Sequence, residues 1–379
     1  MDFDLTSEQQ LLQDSVRRYV DKSYSFESRT ALLKAGKNGS ADNWGSFAAN
    51  GWLMAGLPEA FGGLGGSVLE TSIIAQQLGR ALVLEPYLGC AVLAAQTLAA
   101  CDNTAQKERL LPLLVEGSSR VALAYSEPGS RGMPETVALR AERSAEGFTL
   151  YGLKSLVMGA DGADAFIVSA RIAGTQGISL LLVDANSAGL ERQALPLHDG
   201  TWVEELNFDG VEVGAEALLA DAGKGLAVLQ EGLAYGIVVL CSGLIGSMER
   251  TLEVTAEYLK VRKQFGVPIG SFQALQHRMA DMAAEMEIAR SMLHVALSSM
   301  VNDTPPVRDK TLSSAKMLIC RAAKLVCGQG IQLHGGIGMT EEYLVGHYFK
   351  HAMVADLLLG SSDSHEAACA AALQAELRA

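Results

Sequence analysis

A cluster of glycines late in the chain could hold a phosphate or a flat ring. Gly335, Gly336 and Gly338 separate two stretches, 307–326 and 341–359, whose apolar residues recur at helical spacing. Glycine lets a backbone approach a ligand closely or adopt a positive φ. A helix that ends there, exposes backbone N–H groups and restarts would suit a phosphate. Taken alone, the glycines favour a simpler interpretation, a tight turn between helices, because a short glycine cluster is a weak motif.

The composition indicates a large apolar interior and argues against two classes of partner. The chain has 379 residues, 49% of them hydrophobic, and a formal net charge of −13. Such acidity argues against nucleic acid or an anionic membrane surface as partner. We expect no secretory signal in the acidic opening and no apolar run long enough to span a bilayer. Six cysteines without metal-ligand spacing predict buried thiols and no metal site, so we expect a cytoplasmic protein.

The elements that must position the glycine cluster begin with a helical block. Thr6 and Gln9 predict a capping box at the start of the first helix. Ser67 is predicted to cap a helix that continues to Leu78. Apolar periodicity predicts three further helices, over 44–53, 86–100 and 104–115.

The middle of the chain changes to short strand-like segments separated by glycines. Segments of this kind, joined by brief turns, are typical of a small antiparallel β-barrel or sandwich. The predicted strands cover 121–125, 136–143, 148–157, 165–172, 178–184 and 203–208.

Long helices are predicted again towards the C-terminus. One covers 226–261, Ser271 is predicted to cap the next, and Thr340 is predicted to cap a helix that begins at Glu341. Long helices with short connections favour a four-helix bundle. The predicted class is therefore α+β, with a helical domain over 1–118, a β domain over 119–222 and a helical bundle over 223–379.

Five motifs in a fixed order carry a resemblance to a known family. They are Phe3-Asp4-Leu5-Thr6-Ser7-Glu8-Gln9; Gly51-Trp52 with Leu57-Pro58-Glu59 and Gly62-Gly63; Ser126-Glu127-Pro128-Gly129-Ser130; Arg262-Lys263-Gln264-Phe265-Gly266-Val267-Pro268-Ile269 with Phe272-Gln273; and Gln332-Leu333-His334-Gly335-Gly336-Ile337-Gly338-Met339. Along nearly its whole length the chain resembles the acyl-CoA dehydrogenases, which oxidise acyl thioesters with FAD. More distantly it resembles the small subunits of pimeloyl-CoA dehydrogenase, in which two unlike chains assemble.

The resemblance implies an FAD site shared between subunits of a homo- or hetero-tetramer. In the family the flavin lies between the β domain and the C-terminal bundle, its ADP half reaches a neighbouring subunit, and electron-transfer flavoprotein is the usual acceptor. Arg262 matches the arginine that faces the pyrophosphate, which suits a guanidinium fork; by itself it could equally be a solvated charge at a helix end. The cofactor-binding positions implied by the resemblance are Tyr125, Ser126, Arg262, Gln264, Phe265, Ile269, Phe272, Gln332, Gly335, Gly336, Gly360 and Ser361.

The residues on the substrate side depart from the family pattern. In most members a glutamate removes the α-proton, and its position here is Leu359. The alternative glutamate of the branched-chain members corresponds to Gly236, and an arginine that faces CoA corresponds to Ile237. Leu156 and Met158 replace a tryptophan and a threonine beside the flavin. The catalytic base is therefore unknown from the sequence.

Three interpretations of this pattern stay open. The chain could be an active homo-oligomeric dehydrogenase with a relocated base, for which Asp356 is the first candidate and Glu127 and Tyr235 are poorer ones. It could be a subunit without a base that pairs with an active homologue, which we slightly favour. It could also be a flavin-binding scaffold without catalysis.

The acyl chain cannot be read from the sequence. Gly232, Ala234 and Gly236 are small, so they could leave room for a long, branched or cyclic acyl group. They could equally allow helices to pack closely.

Overall fold

Three blocks follow one another along the chain: helices, a curled sheet, and a second group of helices. The computed structural model describes residues 5–378, so Phe3 and Asp4 of the opening motif lie outside the described residues. The order confirms the predicted α+β architecture.

Local capping sets the starts of the N-terminal helices. Thr6 and Gln9 form the predicted capping box, and Ser67 forms another with Glu70 at the start of the fourth helix. The helix predicted over 44–53 is shifted: it begins at Ala41, where Ser40 caps it, and ends at Ala49, before Gly51, where φ is +77°. The helices are α1 (Ser7–Ser23), α2 (Phe26–Lys34), α3 (Ala41–Ala49), α4 (Val68–Arg80), α5 (Ala95–Ala100) and α6 (Thr104–Val115), with a π-helical segment (Tyr87–Ala94) leading into α5.

The middle block is a curled seven-stranded sheet. Its strands are β1 (Val121–Ala124), β2 (Arg140–Arg143), β3 (Gly147–Val157), β4 (Ala165–Ile172), β5 (Ser179–Asp184), β6 (Leu190–Pro196) and β7 (Trp202–Gly214). Most pairs are antiparallel, as predicted, but β1 and β2 each pair in parallel with β4, so the sheet is mixed. The prediction omitted β6 because this strand is exposed and polar, and no apolar alternation reveals it.

The C-terminal block is built around α9 (Pro305–His334). It packs against α7 (Gly225–Val261), α8 (Gln273–Asn302) and α10 (Leu344–Leu357), which gives the predicted four-helix arrangement, and α11 (Ser362–Glu376) packs on its remaining side. A two-stranded hairpin, β8 (Lys263–Gln264) and β9 (Val267–Pro268), joins α7 to α8.

Two predicted helix starts were wrong. Thr340 does not cap a helix at Glu341, because its hydroxyl donates to the Ile337 carbonyl (2.9 Å) and the helix begins at Leu344. The helix before the glycines also extends beyond the predicted 326 to His334.

The second wrong start lies at the hairpin. The Ser271 hydroxyl donates to the Pro268 carbonyl (2.7 Å), and Phe272 occupies the position before α8 without a side-chain cap. Both serine and threonine side chains therefore satisfy local turn carbonyls instead of helix N–H groups.

The helix α7 is long enough and apolar enough to cross a membrane by length and composition alone. Glu231 and Glu249 bound the apolar stretch of this helix, so it does not contradict the prediction that no uninterrupted apolar run is long enough to span a bilayer. In the structure 72% of its most apolar window is buried against other parts of the protein, which is the burial of a core helix.

Candidate functional site

A pocket of about 470 Å³ lies between the sheet and the turn that joins α10 to α11. We call it the sheet-side pocket. The end of β1 and the end of β3 form one wall, and the α10–α11 turn forms the other. It is lined by Tyr125, Ser126, Glu127, Pro128, Arg131, Gly132, Ser155, Leu156, Met158, Leu357, Leu358, Leu359, Ser361, Asp363, Ser364 and Ala367.

A buried ion pair joins Glu127, which lines this pocket, to Lys154. Lys154 Nζ donates to Glu127 Oε1 (2.7 Å) and Ser169 Oγ (2.8 Å). Glu127 also accepts from the backbone N–H groups of Ala138 (2.7 Å) and Leu139 (3.1 Å). Burial lowers the pKa of Lys154 to about 8, although Glu127 opposes the shift. With both oxygens engaged, Glu127 anchors the sheet and is not placed to abstract a proton.

Asp356, the first candidate for a relocated base, is also engaged. Its carboxylate accepts from Lys324 Nζ (3.0 Å) and from the backbone N–H of Ser362 (3.2 Å). Burial alone would raise the pKa of Asp356, but these donors hold it below its ordinary value. Burial raises the pKa of the third candidate, Tyr235, so its phenol stays protonated. Neither the Asp356 carboxyl nor the Tyr235 phenol has a pKa shifted towards neutral pH.

The turn that carries Leu359 is held by two buried side chains. Lys316, which is fully buried, donates from Nζ to the carbonyls of Ala355 (2.9 Å) and Gly360 (3.1 Å). His365 Nε2–H donates to the Leu359 carbonyl (2.9 Å). Burial lowers the pKa of His365, which favours the neutral ring. These contacts fix Leu359 at a φ of +59°, a left-handed conformation that costs a leucine about 1–2 kcal/mol.

The two positions that the resemblance matches to catalytic glutamates, Gly236 and Leu359, meet inside the protein. A Cβ placed on Gly236 would lie 2.2 Å from Leu93 Cδ2 and 3.3 Å from Leu359 Cδ1. A Cβ on Gly232 would lie 1.9 Å from Thr97 Oγ1. The glycines of α7 therefore serve close helix packing and do not leave room for an acyl group.

A second cavity, of about 250 Å³, lies between α7, α9 and α11. We call it the helix-side cavity. It shares Gly132 and Leu359 with the sheet-side pocket. Its lining comprises Gly132, Met133, Pro134, Glu135, Gln230, Leu233, Ala234, Ile237, Pro306, Asp309, Lys310, Leu312, Ser313, Leu359, His365, Ala368 and Ala372.

Backbone strain concentrates at the sheet-side pocket. Within residues 5–378, five residues other than glycine have a positive φ, and three of them, Arg131, Leu156 and Leu359, line this pocket. Such conformations persist only where the surrounding structure enforces them, and they cluster at functional sites.

A different group of predicted cofactor residues forms an exposed surface that we call the hairpin face. It comprises Arg262, Gln264, Phe265, Ile269, Phe272, Gln332, Gly335 and Gly336. The Ile269 N–H donates to the Arg262 carbonyl (2.8 Å) and closes the hairpin. Phe265 packs edge-on against Phe272 with ring centroids 6.1 Å apart, yet 92% of Phe265 is exposed and its φ is +53°.

An aromatic stack connects the two parts of the hairpin face. Tyr258, one turn before the end of α7, stacks on His334 at the end of α9 with ring centroids 4.5 Å apart. Gly335 and Gly336 follow directly, and a Cβ on either would meet no atom within 4 Å. The backbone at both glycines is therefore open to a ligand or a partner.

The structure divides the predicted cofactor residues between these two places. Tyr125, Ser126 and Ser361 line the sheet-side pocket, and Gly360 is buried in its wall. Ser361 also caps α11 by accepting from the Ser364 N–H (3.1 Å). The remaining predicted residues lie on the hairpin face.

Two residues that shape the pocket were missed from the sequence. Lys316 carries only a weak signal, because it is one of three lysines in α9 and its burial depends on how the helices pack. His365 carries none, because its position against Leu359 depends on how α11 packs.

Comparisons with known proteins identify the family of the chain. Family models described as the N-terminal, middle and C-terminal domains of acyl-CoA dehydrogenase match residues 6–118, 122–211 and 223–374. A mitochondrial isovaleryl-CoA dehydrogenase from Solanum tuberosum is 31% identical over 316 residues, which cover 81% of this chain and 76% of that protein.

Solved structures show the same fold over the full length. A chain of the ChsE4–ChsE5 complex from Mycobacterium tuberculosis has a TM-score of 0.90 at 28% identity, with 99% of both chains covered. Butyryl-CoA dehydrogenase from Megasphaera elsdenii has a TM-score of 0.90 at 26% identity, with 99% of this chain and 100% of that chain covered. The chain therefore belongs to the acyl-CoA dehydrogenase family, whose members are oxidoreductases.

Proposed function

We propose that this chain is one subunit of an FAD-dependent acyl-CoA dehydrogenase, in which an unlike partner chain supplies the glutamate that removes the α-proton. The observation that carries the proposal is the contact between the two family base positions. Gly236 and Leu359 lie against each other in the core, and neither offers an atom that can accept a proton.

The hairpin face fits the ADP half of the cofactor. FAD, when bound, supplies the acceptor for the hydride from the β-carbon. Arg262 is exposed, and its paired N–H groups suit pyrophosphate oxygens. The open backbone at Gly335 and Gly336 allows close approach of a ligand, and the exposed rings of Phe265 and Phe272 offer an apolar surface.

The carboxylates beside the sheet-side pocket do not replace the missing base. Glu127 and Asp356 are engaged by buried donors. Asp363 lines the pocket, but its side chain is 90% exposed and lies 3.6 Å from Arg321 Nη2. A base for α-proton abstraction needs partial removal from water to bring its pKa near the working pH.

Partner chains are proposed from the surface and from related structures. The helix α8 exposes Ile288, Val295 and Val301, which an assembly such as a homo- or hetero-tetramer would cover. One similar structure is a complex of two named proteins, ChsE4 and ChsE5. Another, at 25% identity and a TM-score of 0.89, is described as an electron transferring flavoprotein of Acidaminococcus fermentans, which supports such a protein as electron acceptor.

Co-expression tests this proposal. The chain is purified alone and together with a glutamate-bearing homologue encoded beside it. Both preparations are assayed with a panel of acyl-CoA thioesters and an artificial electron acceptor, and their masses are measured by light scattering. We expect a mixed, yellow oligomer that oxidises a thioester, and little oxidation by the chain alone. A chain that turns over acyl-CoA by itself as fast as the mixed oligomer would refute the proposal.

A further inference from the structure

We propose that Ser313 and His365 form a second reactive site at the helix-side cavity, in which the Ser313 hydroxyl is a nucleophile towards acyl groups and His365 is its base. The substrate class is an ester or thioester of a short apolar acid, and the reaction is hydrolysis. The inference goes beyond the proposed function, because it needs neither a flavin nor a partner chain.

The two hydrogen bonds of His365 determine which ring nitrogen carries the proton. Nε2 lies 2.9 Å from the Leu359 carbonyl oxygen, which can only accept, so Nε2 is protonated. Nδ1 lies 3.1 Å from Ser313 Oγ. Burial lowers the pKa of His365, although its bond to Leu359 opposes the shift, so the ring is neutral at neutral pH and Nδ1 keeps a lone pair. The Ser313 hydroxyl therefore donates to Nδ1, which is how a serine nucleophile meets its base.

Three segments hold this imidazole in place. Ser313 is on α9, His365 is on α11, and Leu359 lies in the turn between α10 and α11. The Leu359 carbonyl fixes the ring through its Nε2–H, and Lys316 fixes the same turn through the Gly360 carbonyl (3.1 Å). A base that is itself oriented by a third group is the general arrangement around catalytic serines.

The next serine along α9 differs from Ser313 in its contacts. The Ser314 hydroxyl donates to the Lys310 carbonyl four residues earlier (3.1 Å), as serines inside helices commonly do. It also lies 3.4 Å from Cys369 Sγ. The described lining of the helix-side cavity includes Ser313 but not Ser314. Ser314 is therefore a matched control for Ser313.

The lining of the helix-side cavity suits an apolar acyl group with a carbonyl at one end. The cavity has a volume of about 250 Å³, and its apolar lining includes Met133, Leu233, Ile237, Leu312 and Leu359. Lys310, one turn before Ser313, brings a positive charge to the same lining. Its ammonium pairs with Glu376 (2.7 Å), and these side chains are 37% and 58% exposed. Because such exposed pairs are weak, Lys310 can instead stabilise negative charge that develops on the acyl oxygen.

The reaction proceeds in two steps. Ser313 Oγ attacks the acyl carbon while its proton passes to His365 Nδ1. A bond forms between Oγ and this carbon, the bond from the carbon to the leaving oxygen or sulfur breaks, and His365 gives the proton to the leaving group. A water molecule then attacks the acyl-serine ester and gives a proton to Nδ1, which returns it to Ser313 Oγ as the carboxylic acid leaves. The sum is a hydrolysis, in which nothing is oxidised or reduced.

Covalent labelling of the full chain tests the site. The probe is a fluorophosphonate, which forms a bond from phosphorus to an activated serine oxygen and releases fluoride. Mass spectrometry follows the rate of labelling, and peptide fragmentation locates the labelled serine. Ser313→Ala removes the nucleophile, and Ser314→Ala is the control. His365→Gln keeps a donor for the Leu359 carbonyl and removes the base. Hydrolysis of p-nitrophenyl butyrate is measured on the same chains.

We expect the probe to label Ser313 in the parent and in Ser314→Ala, and ester hydrolysis to be lost in Ser313→Ala. In His365→Gln labelling should slow by about 100-fold or more, the typical contribution of a general base. In the parent, labelling should hold from about pH 8 to about pH 6.5 and fall below that, because the pKa of His365 lies below its ordinary value.

A parent chain whose Ser313 remains unlabelled would overturn the inference. So would equal labelling rates in the parent and in a His365→Gln chain with the parental thermal midpoint. If His365→Gln does not fold, the pH profile of the parent decides, and labelling that does not fall in acid would refute the role of His365. None of these results bears on the proposed function, which is decided by oxidation with the partner chain.

Discussion

The sheet-side pocket and the hairpin face differ in how their residues match the positions that the family resemblance implies. At the pocket, Leu359 and Leu156 stand where the resemblance implies a base and a flavin contact, and Leu359 packs into the core against Gly236. On the hairpin face, the motif around Arg262 is complete and exposed, with Phe265 almost entirely outside the protein.

This difference shows that the residues at the pocket stabilise the folded chain, whereas those on the hairpin face do not. Burying leucine in place of a carboxylate stabilises the fold, because desolvating a charge is costly and apolar burial is favourable. Phe265 does not stabilise the fold in this way, since it has a strained positive φ and buries little of its surface. Such a residue gains stabilising contacts only when a ligand or another chain covers it.

Restoring the base gives the largest expected change. Leu359→Glu places a carboxylate at the position that the resemblance matches to the glutamate of most family members, and general base catalysis typically contributes about 100- to 10,000-fold in rate. We expect acyl-CoA oxidation by the flavin-loaded variant where the parent shows little. A buried glutamate costs stability, so FAD is supplied in excess. Leu359→Gln is the neutral control. An inert variant that binds both flavin and thioester would show that more than the base has been lost.

Removing the buried ion pair between Lys154 and Glu127, next to the pocket, should lower the free energy of unfolding. Lys154→Met leaves the Glu127 carboxylate buried without its cation, and removal of one partner of a buried pair typically costs about 3–5 kcal/mol. Urea unfolding measures this loss. The control is Lys224→Met, which removes a pair with Asp221 whose side chains are 73% and 75% exposed, and which should have no measurable effect. Equal effects of the two changes would contradict the structural role of Lys154.

On the hairpin face, Arg262→Ala should weaken flavin retention and leave the fold intact. Loss of a hydrogen bond to a charged group typically costs about 1.5–3 kcal/mol. Flavin release on dilution, followed by fluorescence, measures it. Lys263→Ala removes a neighbouring exposed charge and is the control. If Arg262→Ala and the parent release flavin at the same rate, Arg262 does not face the cofactor.

The smallest expected effect is a pH dependence from His365. Its folded pKa lies below the ordinary value of 6.5 because of burial, with Lys316 opposing and Asp356 favouring protonation. The unfolded chain therefore binds the proton more readily, so the stability is complete above about pH 6.5 and falls as the pH decreases below it. His365→Gln keeps a donor for the Leu359 carbonyl but does not titrate in this range. Thermal midpoints between about pH 7 and about pH 5 should fall less in the variant than in the parent. Parallel curves would assign the acid sensitivity to other histidines.

Much of the architecture follows from local patterns in the sequence. Thr6 and Ser67 identify helix starts because capping depends on neighbours a few residues away. Strands β3, β4 and β5 are visible as apolar segments, whereas exposed β6 is not. The motif around Arg262 and the order of the motifs identify the family.

Only the tertiary structure decided what the atypical residues do. The sequence shows glycine at 236 and leucine at 359, but it leaves open whether the space beside them is empty or filled; packing against Leu93 fills it. The sequence also leaves open whether Asp356 and Glu127 are free to act as bases. In the structure, Asp356 accepts from Lys324 and Glu127 accepts from Lys154, and both lysines come from distant segments. Burial and hydrogen-bond partners from distant segments determine pKa and access, and these depend on chain packing that no local pattern encodes.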